Sequence, residues 1–572
     1  MDGETRSSIS KLIAPTSTVV PAVVGSLLCW LALPPVGWSH LAWVGPMPWL
    51  LLVSQEKLPG RRPYRALWLG GFVFWMLAVH WIRLPHPLNY LAWLVLAAYL
   101  GVYLPTFVAI ARVGVYRLRL PLWLVAPIAW TGLDWFRARL FTGFLMGSLA
   151  HTQAEQTLVI QIADLAGEYG VTFLILLVAA SIARFLTALP FASEPGRPRP
   201  RRILAPLHLL PAILALTASL IYGHARTTEL ALQQKSASPG PRIALVQGNT
   251  LADWKSDPGR QQRIMDEHVR LSLEAVKQSR EQNGREVDLV IWPETAFRET
   301  LVTFEPGYTP QPERDPPVNL TAAQDYLKLL TRELGTALLV GIDRVHVFPN
   351  TQGEPDYRAY NSSVLVDAEG NLVGTYDKMH RVPFGEYIPA ADWFPVLYRL
   401  TPLTGGIDAG KRPAGLVLND VMYSPSICYE TAVPHLIRQH VAQSDGSVEP
   451  SVLVNLTNDA WYWGSSELDM HLACGVFRAV EMRIPLVIAA NGGLSGYIDV
   501  AGNLRHVTTR QEPTFLIVDV SLPHTPASLY SRWGDWFAIL CVLCCIVLAV
   551  VGWRGRESSR GPAGVGDDPA RC

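Results

Sequence analysis

Pro241-Arg-Ile-Ala-Leu-Val-Gln-Gly-Asn249 marks the point where this chain changes character. Before it, apolar runs are long enough to cross a bilayer; after it, they are short and broken by charged stretches and turn residues. In the later block, Ile243–Gln247, Val287–Trp292, Ala337–Gly341, Ser362–Val366, Gly415–Leu418, Val452–Asn455 and Leu486–Ala489 read as strands. Several are apolar on both faces, as strands of a covered sheet are. Gln262–Gln282, Ala322–Leu334 and Glu467–Arg483 carry apolar residues at helical spacing. Strands alternating with helices define an α/β class. The Pro-rich stretches Pro306–Pro317 and Phe348–Pro355 read as surface loops.

Working outward, composition points to a membrane. Of 572 residues, 49% are hydrophobic and 17% charged, against roughly 25% charged in soluble domains. Lys+Arg and Asp+Glu are both 48, so no bulk positive field invites a nucleic-acid partner. A spanning helix takes about 20 apolar residues. Candidates fall at 16–35, 40–54, 66–84, 88–112, 119–136, 157–189 and 203–223, with one more at 534–553. About eight spans are therefore expected, the first of them an uncleaved anchor. The expected division is a transmembrane domain over 1–226, a catalytic block over 240–522, a final span over 533–554 and a disordered cytoplasmic tail over 555–572.

Basic residues orient the bundle, because Lys and Arg stay on the cytoplasmic side. With the N-terminus inside, the inner connections hold Lys57, Arg61, Arg62 and Arg65, then Arg112, Arg117 and Arg119, then Arg197, Arg199, Arg201 and Arg202, and last Arg554, Arg556 and Arg560. The block from 240 to 522 then lies outside the cytoplasm. Arg137 and Arg139 are the exception, in an outer connection that also carries Phe141-Thr-Gly-Phe144. Of seven cysteines, only Cys428 and Cys474 fall in the outer block. Cys474 sits in a helical stretch and Cys428 has the neighbours of a nucleophile, so the two are expected to remain unpaired.

Three short stretches carry the chemistry: Asp288-Leu-Val-Ile-Trp-Pro-Glu294, Tyr376-Asp-Lys378 and Ser426-Ile-Cys428-Tyr-Glu430. A thiol attacks a carbonyl as its thiolate, and a free cysteine has a pKa of about 8.5, so Cys428 needs a base or a cation beside it. Glu294 is the candidate base. Lys378 is the candidate donor to the oxyanion that forms on the attacked carbonyl. Attack produces a thioester that a second substrate resolves. His80, His86 and His151 show no metal-ligand spacing, and no cofactor or metal is expected.

In the order Glu, Lys, Cys, with Phe384-Gly-Glu386 after the lysine, these residues resemble the active site of the carbon-nitrogen hydrolase (nitrilase) superfamily. Asn455-Leu-Thr-Asn-Asp-Ala-Trp461 completes the ordered set. Because the block sits between long apolar segments, the chain resembles the apolipoprotein N-acyltransferases, over about residues 16 to 553 and most closely from 240 to 500. The resemblance implies a helical transmembrane bundle joined to a four-layer αββα sandwich. It also implies the three roles given above for Glu294, Lys378 and Cys428, and supporting roles for Glu386, Tyr429 and Glu430. Trp254, Trp393, Phe394 and Trp461 become candidates for substrate contact, the last three on arms that would hold acyl chains at the membrane surface.

The implied activity is transfer of an acyl chain from a phospholipid, typically phosphatidylethanolamine, to the amino group of the S-diacylglyceryl cysteine that begins an apolipoprotein. The implied location is the bacterial inner (cytoplasmic) membrane, with the catalytic domain on the periplasmic side. The catalytic residues alone leave open a membrane-anchored amidase, which releases the acyl group to water, or an acyltransferase for another amine-bearing lipid.

Overall fold

The computed structural model describes residues 16–189, 202–237, 239–252, 257–309, 320–391, 393–400, 403, 405–442 and 449–557. Trp254, Arg197, Arg199, Arg201, much of the first Pro-rich stretch and the tail from 558 lie outside the described residues.

Helices α1 (Val19–Leu31), α2 (Met47–Val53), α3 (Pro63–Ala78), α4 (Asn89–Leu100), α5 (Tyr103–Tyr116), α6 (Leu122–Arg137), α7 (Glu168–Ala188) and α8 (Leu210–Ser236) precede the first strand. Among the described residues, four stretches are long and apolar enough to cross a membrane: Asn89–Tyr116, Glu168–Ala188, Ala205–Ser236 and Trp536–Arg554. The other apolar segments form shorter helices. The expected segment 40–54 is a 3-10 turn followed by the short α2, because Pro46 and Pro48 remove backbone donors there. The expected segment 157–189 breaks at Gly167, whose φ is +67°. A Cβ on Gly167 would meet the Tyr530 ring at 2.6 Å, so the tight crossing needs glycine. Helix α8 runs past the expected end at 223, and its Leu230 is buried in a cluster with Val500 and Ala501 of the catalytic block.

Among the described residues, the catalytic block forms two sheets. The first has the order β13-β1-β2-β4-β5-β6, with β3 paired to β4. Its strands are β1 (Arg242–Gln247), β2 (Leu289–Ile291), β3 (Phe297–Phe304), β4 (Ala337–Pro349), β5 (Pro355–Val366), β6 (Leu372–Asp377) and β13 (Thr514–Asp519). The second runs β12-β11-β10-β9-β8-β7, from β7 (Leu416–Leu418), β8 (Val421–Ile427), β9 (Pro450–Asn458), β10 (Leu486–Asn491), β11 (Gly496–Ile498) and β12 (Leu504–Val507). Of the expected loop from Phe348 to Pro355, residues 350–354 form the turn of the β4–β5 hairpin, while Phe348, Pro349 and Pro355 belong to the strands.

Ile243, Leu245, Ile291, Leu339, Val454 and Val487 fill the space between the sheets. Helices α9 (Pro258–Asn283) and α10 (Ala322–Leu334) cover the outer face of the first sheet. Helix α11 (Pro434–Ala442) and α12 (Glu467–Met482) lie with the second. The αββα expectation is met.

The outer face of the second sheet is covered over β9, β10 and β11, while the edge strand β12 is exposed. One apolar cluster joins Ala22, Trp49 and Ile175 of the helical domain to Phe477 and Val480 of α12 and to Leu453, Ile488 and Ile498 of the sheet. The final helix α13 (Trp536–Glu557) returns to pack on α6. Arg137 and Arg139, the two arginines that break the charge rule, are both paired: Arg137 with Asp134 at 3.1 Å, and Arg139 with Asp535 beside α13.

Candidate active site

Glu294, Lys378 and Cys428 each follow the C-terminal end of a strand, β2, β6 and β8 respectively, where α/β sheets gather their ligands. The Trp-Pro-Glu turn packs directly on β4. A Cβ on Gly341 would lie 2.6 Å from the Cα of Glu294, so glycine at that strand position lets the turn approach. Trp292 fixes the turn from below, donating from its indole N–H to Ser272 at 2.8 Å.

Around Glu294 every polar contact is specific. Lys378 Nζ donates to Glu294 Oε1 at 3.1 Å and to Glu386 Oε1 at 2.6 Å. Asn361 Nδ2 donates to Glu294 Oε1 at 2.7 Å, and the Asn458 N–H donates to Glu294 Oε2 at 3.0 Å. Glu386 Oε2 in turn accepts the Val382 N–H at 2.7 Å. Lys378 is 1% exposed. Burial works against its charge, but Glu294 and Glu386 outweigh it and hold the ammonium well above its ordinary pKa. The lysine is therefore a fixed cation held by two carboxylates.

Cys428 sits half-buried at the turn from β8 into a 3-10 helix, with φ at +54°. A non-glycine residue held there costs about 1–3 kcal/mol, so the surroundings must impose it. Its carbonyl accepts from Asn455 Nδ2 at 3.2 Å and faces His471 Nε2 at 3.2 Å. Burial, then the Glu294 carboxylate, push the thiol well above its ordinary pKa, against the pull of Lys378. At rest the sulfur is protonated, and a base must take the proton at the moment of attack. Cys428 and Cys474 are both free.

Glu430 ties the lysine loop to the cysteine turn. Its carboxyl accepts the N–H groups of Met379 at 2.7 Å, His380 at 2.9 Å and Ile427 at 2.7 Å, and the Tyr376 hydroxyl lies 2.9 Å from both oxygens. Burial raises its pKa to about 7, opposed by the His380 N–H and by Lys378. Tyr429 points the other way: its hydroxyl reaches the Gly143 carbonyl at 3.4 Å and its ring stacks on Phe144 of the helical domain. The Phe141–Phe144 connection therefore meets the residue next to the candidate nucleophile.

Glu294, Lys378, Glu386 and Cys428 converge, with Glu430 bracing them. Trp393 and Phe394 are 80% and 61% exposed, and Trp461 is half-buried on the turn after β9. Asn361, Tyr376, Asn455 and His471 were not singled out from sequence. Asn361 carried a signal, being a polar residue at the head of an apolar strand, held opposite Lys378 by the Lys378 N–H to Asn361 carbonyl bond of 2.9 Å.

Two stacked sheets with this cluster at their strand ends define a carbon-nitrogen hydrolase domain, and residues 242–527 match the family model described as Carbon-nitrogen hydrolase. Residues 25–181 match the model described as Apolipoprotein N-acyltransferase N-terminal domain. An apolipoprotein N-acyltransferase of Rhodopirellula baltica is 30% identical over 94% of this chain and 97% of its own length. One of Geobacter metallireducens is 32% identical over 95% and 96%. A solved amidase from Nesterenkonia sp. is 20% identical over 52% of this chain and 95% of the amidase, with a TM-score of 0.34. The chain belongs to the apolipoprotein N-acyltransferase family.

Proposed function

We propose that this membrane enzyme moves an acyl chain from a phospholipid, phosphatidylethanolamine in the first instance, to the amino group of the S-diacylglyceryl cysteine at the start of an apolipoprotein. Cys428 attacks the ester carbonyl while Glu294 takes the thiol proton. A carbon–sulfur bond forms, and Lys378 faces the oxyanion. The ester carbon–oxygen bond then breaks, and the lysophospholipid leaves as an alcohol carrying the proton. In the second half the acceptor amine attacks the thioester, giving its proton to Glu294. The carbon–nitrogen bond forms and the thiolate departs, to be reprotonated from Glu294.

Glu386 orients Lys378, and Glu430 and Tyr429 brace the loops on either side. Trp393, Phe394, Trp461 and Trp254 are assigned to contact with substrate chains, a use that suits exposed aromatics at a membrane surface. The observation that carries the reading is that Lys378, buried and held by Glu294 and Glu386, faces the Cys428 thiol, whose next residue, Tyr429, packs against the membrane helices.

The proposed setting is the bacterial inner membrane, spanned about eight times, with the 240–522 domain on the periplasmic side. The pairing of Arg137 with Asp134 and of Arg139 with Asp535 supports that orientation, since it cancels the two charges that argue against it.

Turnover with phosphatidylethanolamine and a diacylated lipopeptide tests the function. Acylated lipopeptide and lysophospholipid are expected in equal amounts, with neither from Cys428→Ala. Free fatty acid in place of acylated lipopeptide would make the protein a hydrolase that releases the acyl group to water.

A further inference from the structure

Helix α12 presents His471 to the backbone of the cysteine turn. Its Nε2 lies 3.2 Å from the Cys428 carbonyl oxygen and its Nδ1 3.5 Å from Asp459 Oδ1. That carboxylate oxygen also accepts the Thr457 hydroxyl at 2.5 Å. A carbonyl and a carboxylate only accept, so an imidazolium, which donates from both nitrogens, is the form of the ring that suits both neighbours. His471 and Asp459 are 3% and 4% exposed, so water does not screen the pair.

The other titratable groups facing the ring are Glu467 and Cys474 on α12 itself. Cys474 is met from the helical domain by His151 at 3.8 Å. Glu467 is buried, with Oε2 lacking a hydrogen-bond partner among the described residues. Burial, then Asp459, push its pKa well up, so it is a neutral acid. Asp459, Glu467 and His471 hold ligand-type atoms within 4.8 Å of one another, yet a ring donating from both nitrogens has no lone pair for a metal. The thiol itself faces Glu294, Lys378, Asp459 and Glu386.

We propose that His471 is a positioning residue for acyl transfer. As a cation it holds the Cys428 carbonyl, and with it the left-handed turn that aims the sulfur, and it offsets the Asp459 carboxylate, whose charge opposes thiolate formation. The proposal rests on Cys428 being the nucleophile.

The test is the pH dependence of Cys428 alkylation by iodoacetamide in the full-length protein in detergent, read by mass spectrometry of the Cys428 peptide without any lipid. His471→Gln keeps a donor for the carbonyl but leaves Asp459 unopposed. Alkylation near neutral pH is expected to slow about tenfold, one pKa unit, and kcat to fall while KM for phospholipid holds. Adding Asp459→Asn is expected to restore most of the rate, a coupling that a merely structural role does not produce. A His471→Gln profile that superposes on the wild type, or a double variant that does not recover, overturns the proposal.

Should His471→Gln fail to accumulate, 15N spectra of histidine-labelled wild type decide. Burial opposes the charge on His471, but the hydrogen bond and charge of Asp459 raise its pKa to about 9, so both nitrogens are expected to carry protons at neutral pH. A neutral ring, or stoichiometric zinc retention lost in His471→Gln, overturns the proposal. Absence of any acyl group on wild-type Cys428 after incubation with phospholipid would overturn the functional reading itself, and is scored separately.

Discussion

Two of the helices that cover the sheets, α10 on the first and α12 on the second, differ in what lies beyond them. Helix α10 buries one stripe, Ala323, Leu327, Leu330, Thr331 and Leu334, and leaves Leu329 64% exposed on its other face. It is the amphipathic helix of a water-soluble sandwich. Helix α12 is buried almost throughout, including Glu467, His471, Arg478 and Glu481. Its charges find partners in the helical domain: Arg478 pairs with Glu168 at 3.4 Å as well as with Glu481 at 3.1 Å, and the Glu168 N–H donates to Glu481 at 2.8 Å. Just past the helix, Arg483 pairs with Asp164 at 2.6 Å. The comparison shows how a hydrolase fold is fixed to a membrane domain: one covering helix stays a surface element, and the other becomes an interface with the Cys428 turn packed on it.

The contrast breaks most severely at Arg478. Arg478→Met leaves Glu168 and Glu481 buried without their shared cation, and a loss of about 3–5 kcal/mol is expected, read as a large fall in the Tm of purified protein.

A smaller effect tests the turn between the layers. Glu430 has its pKa raised by burial from 4.5 to about 7. Across that window the folded protein keeps a proton that the unfolded chain has lost, so stability falls as pH rises from about 4.5 to 7 and is level above, by up to about 3 kcal/mol. Tm measured against pH is expected to show this slope in the wild type and a flatter line in Glu430→Gln.

Asn361→Leu removes a hydrogen bond to the Glu294 carboxylate, and a bond to a charged group is worth about 1.5–3 kcal/mol. Acylation of Cys428 is expected to slow by roughly ten- to a hundredfold with kinetics as the readout. The smallest effect belongs to the solvent side. Arg270 and Glu274 on α9 form a pair with about half of each side chain exposed, and Arg270→Ala is expected to change stability by less than about 0.5 kcal/mol, leaving Tm unmoved.

Much of this was legible in sequence. Ala322–Leu334 is legible to the residue because its apolar stripe is strict, and β1 and β10 to within one or two residues because they are apolar runs bounded by turn residues. Strand β8, which delivers Cys428, was not read as a strand: Ser424-Pro-Ser426 looks like a turn, and only pairing with β9 makes it a buried strand. The candidate trio Glu294, Lys378 and Cys428 could be picked out because carboxylate, amine and thiol each close an apolar stretch, and the fold brings them together. The parts that escaped act through tertiary pairing. Asn361 meets Lys378 across the β5–β6 ladder, and His471 meets Cys428 across a gap of 43 residues. Helix α12 looked like any amphipathic helix because the partners of its charges, Glu168 and Asp164, lie three hundred residues earlier.

The most direct test is the mass of the Cys428 peptide after purified protein is incubated with phosphatidylethanolamine and then chased with diacylated lipopeptide. The account predicts one fatty acyl group on Cys428 that disappears in the chase and reappears on the lipopeptide amine. An unmodified Cys428 in protein that still acylates the lipopeptide would contradict it.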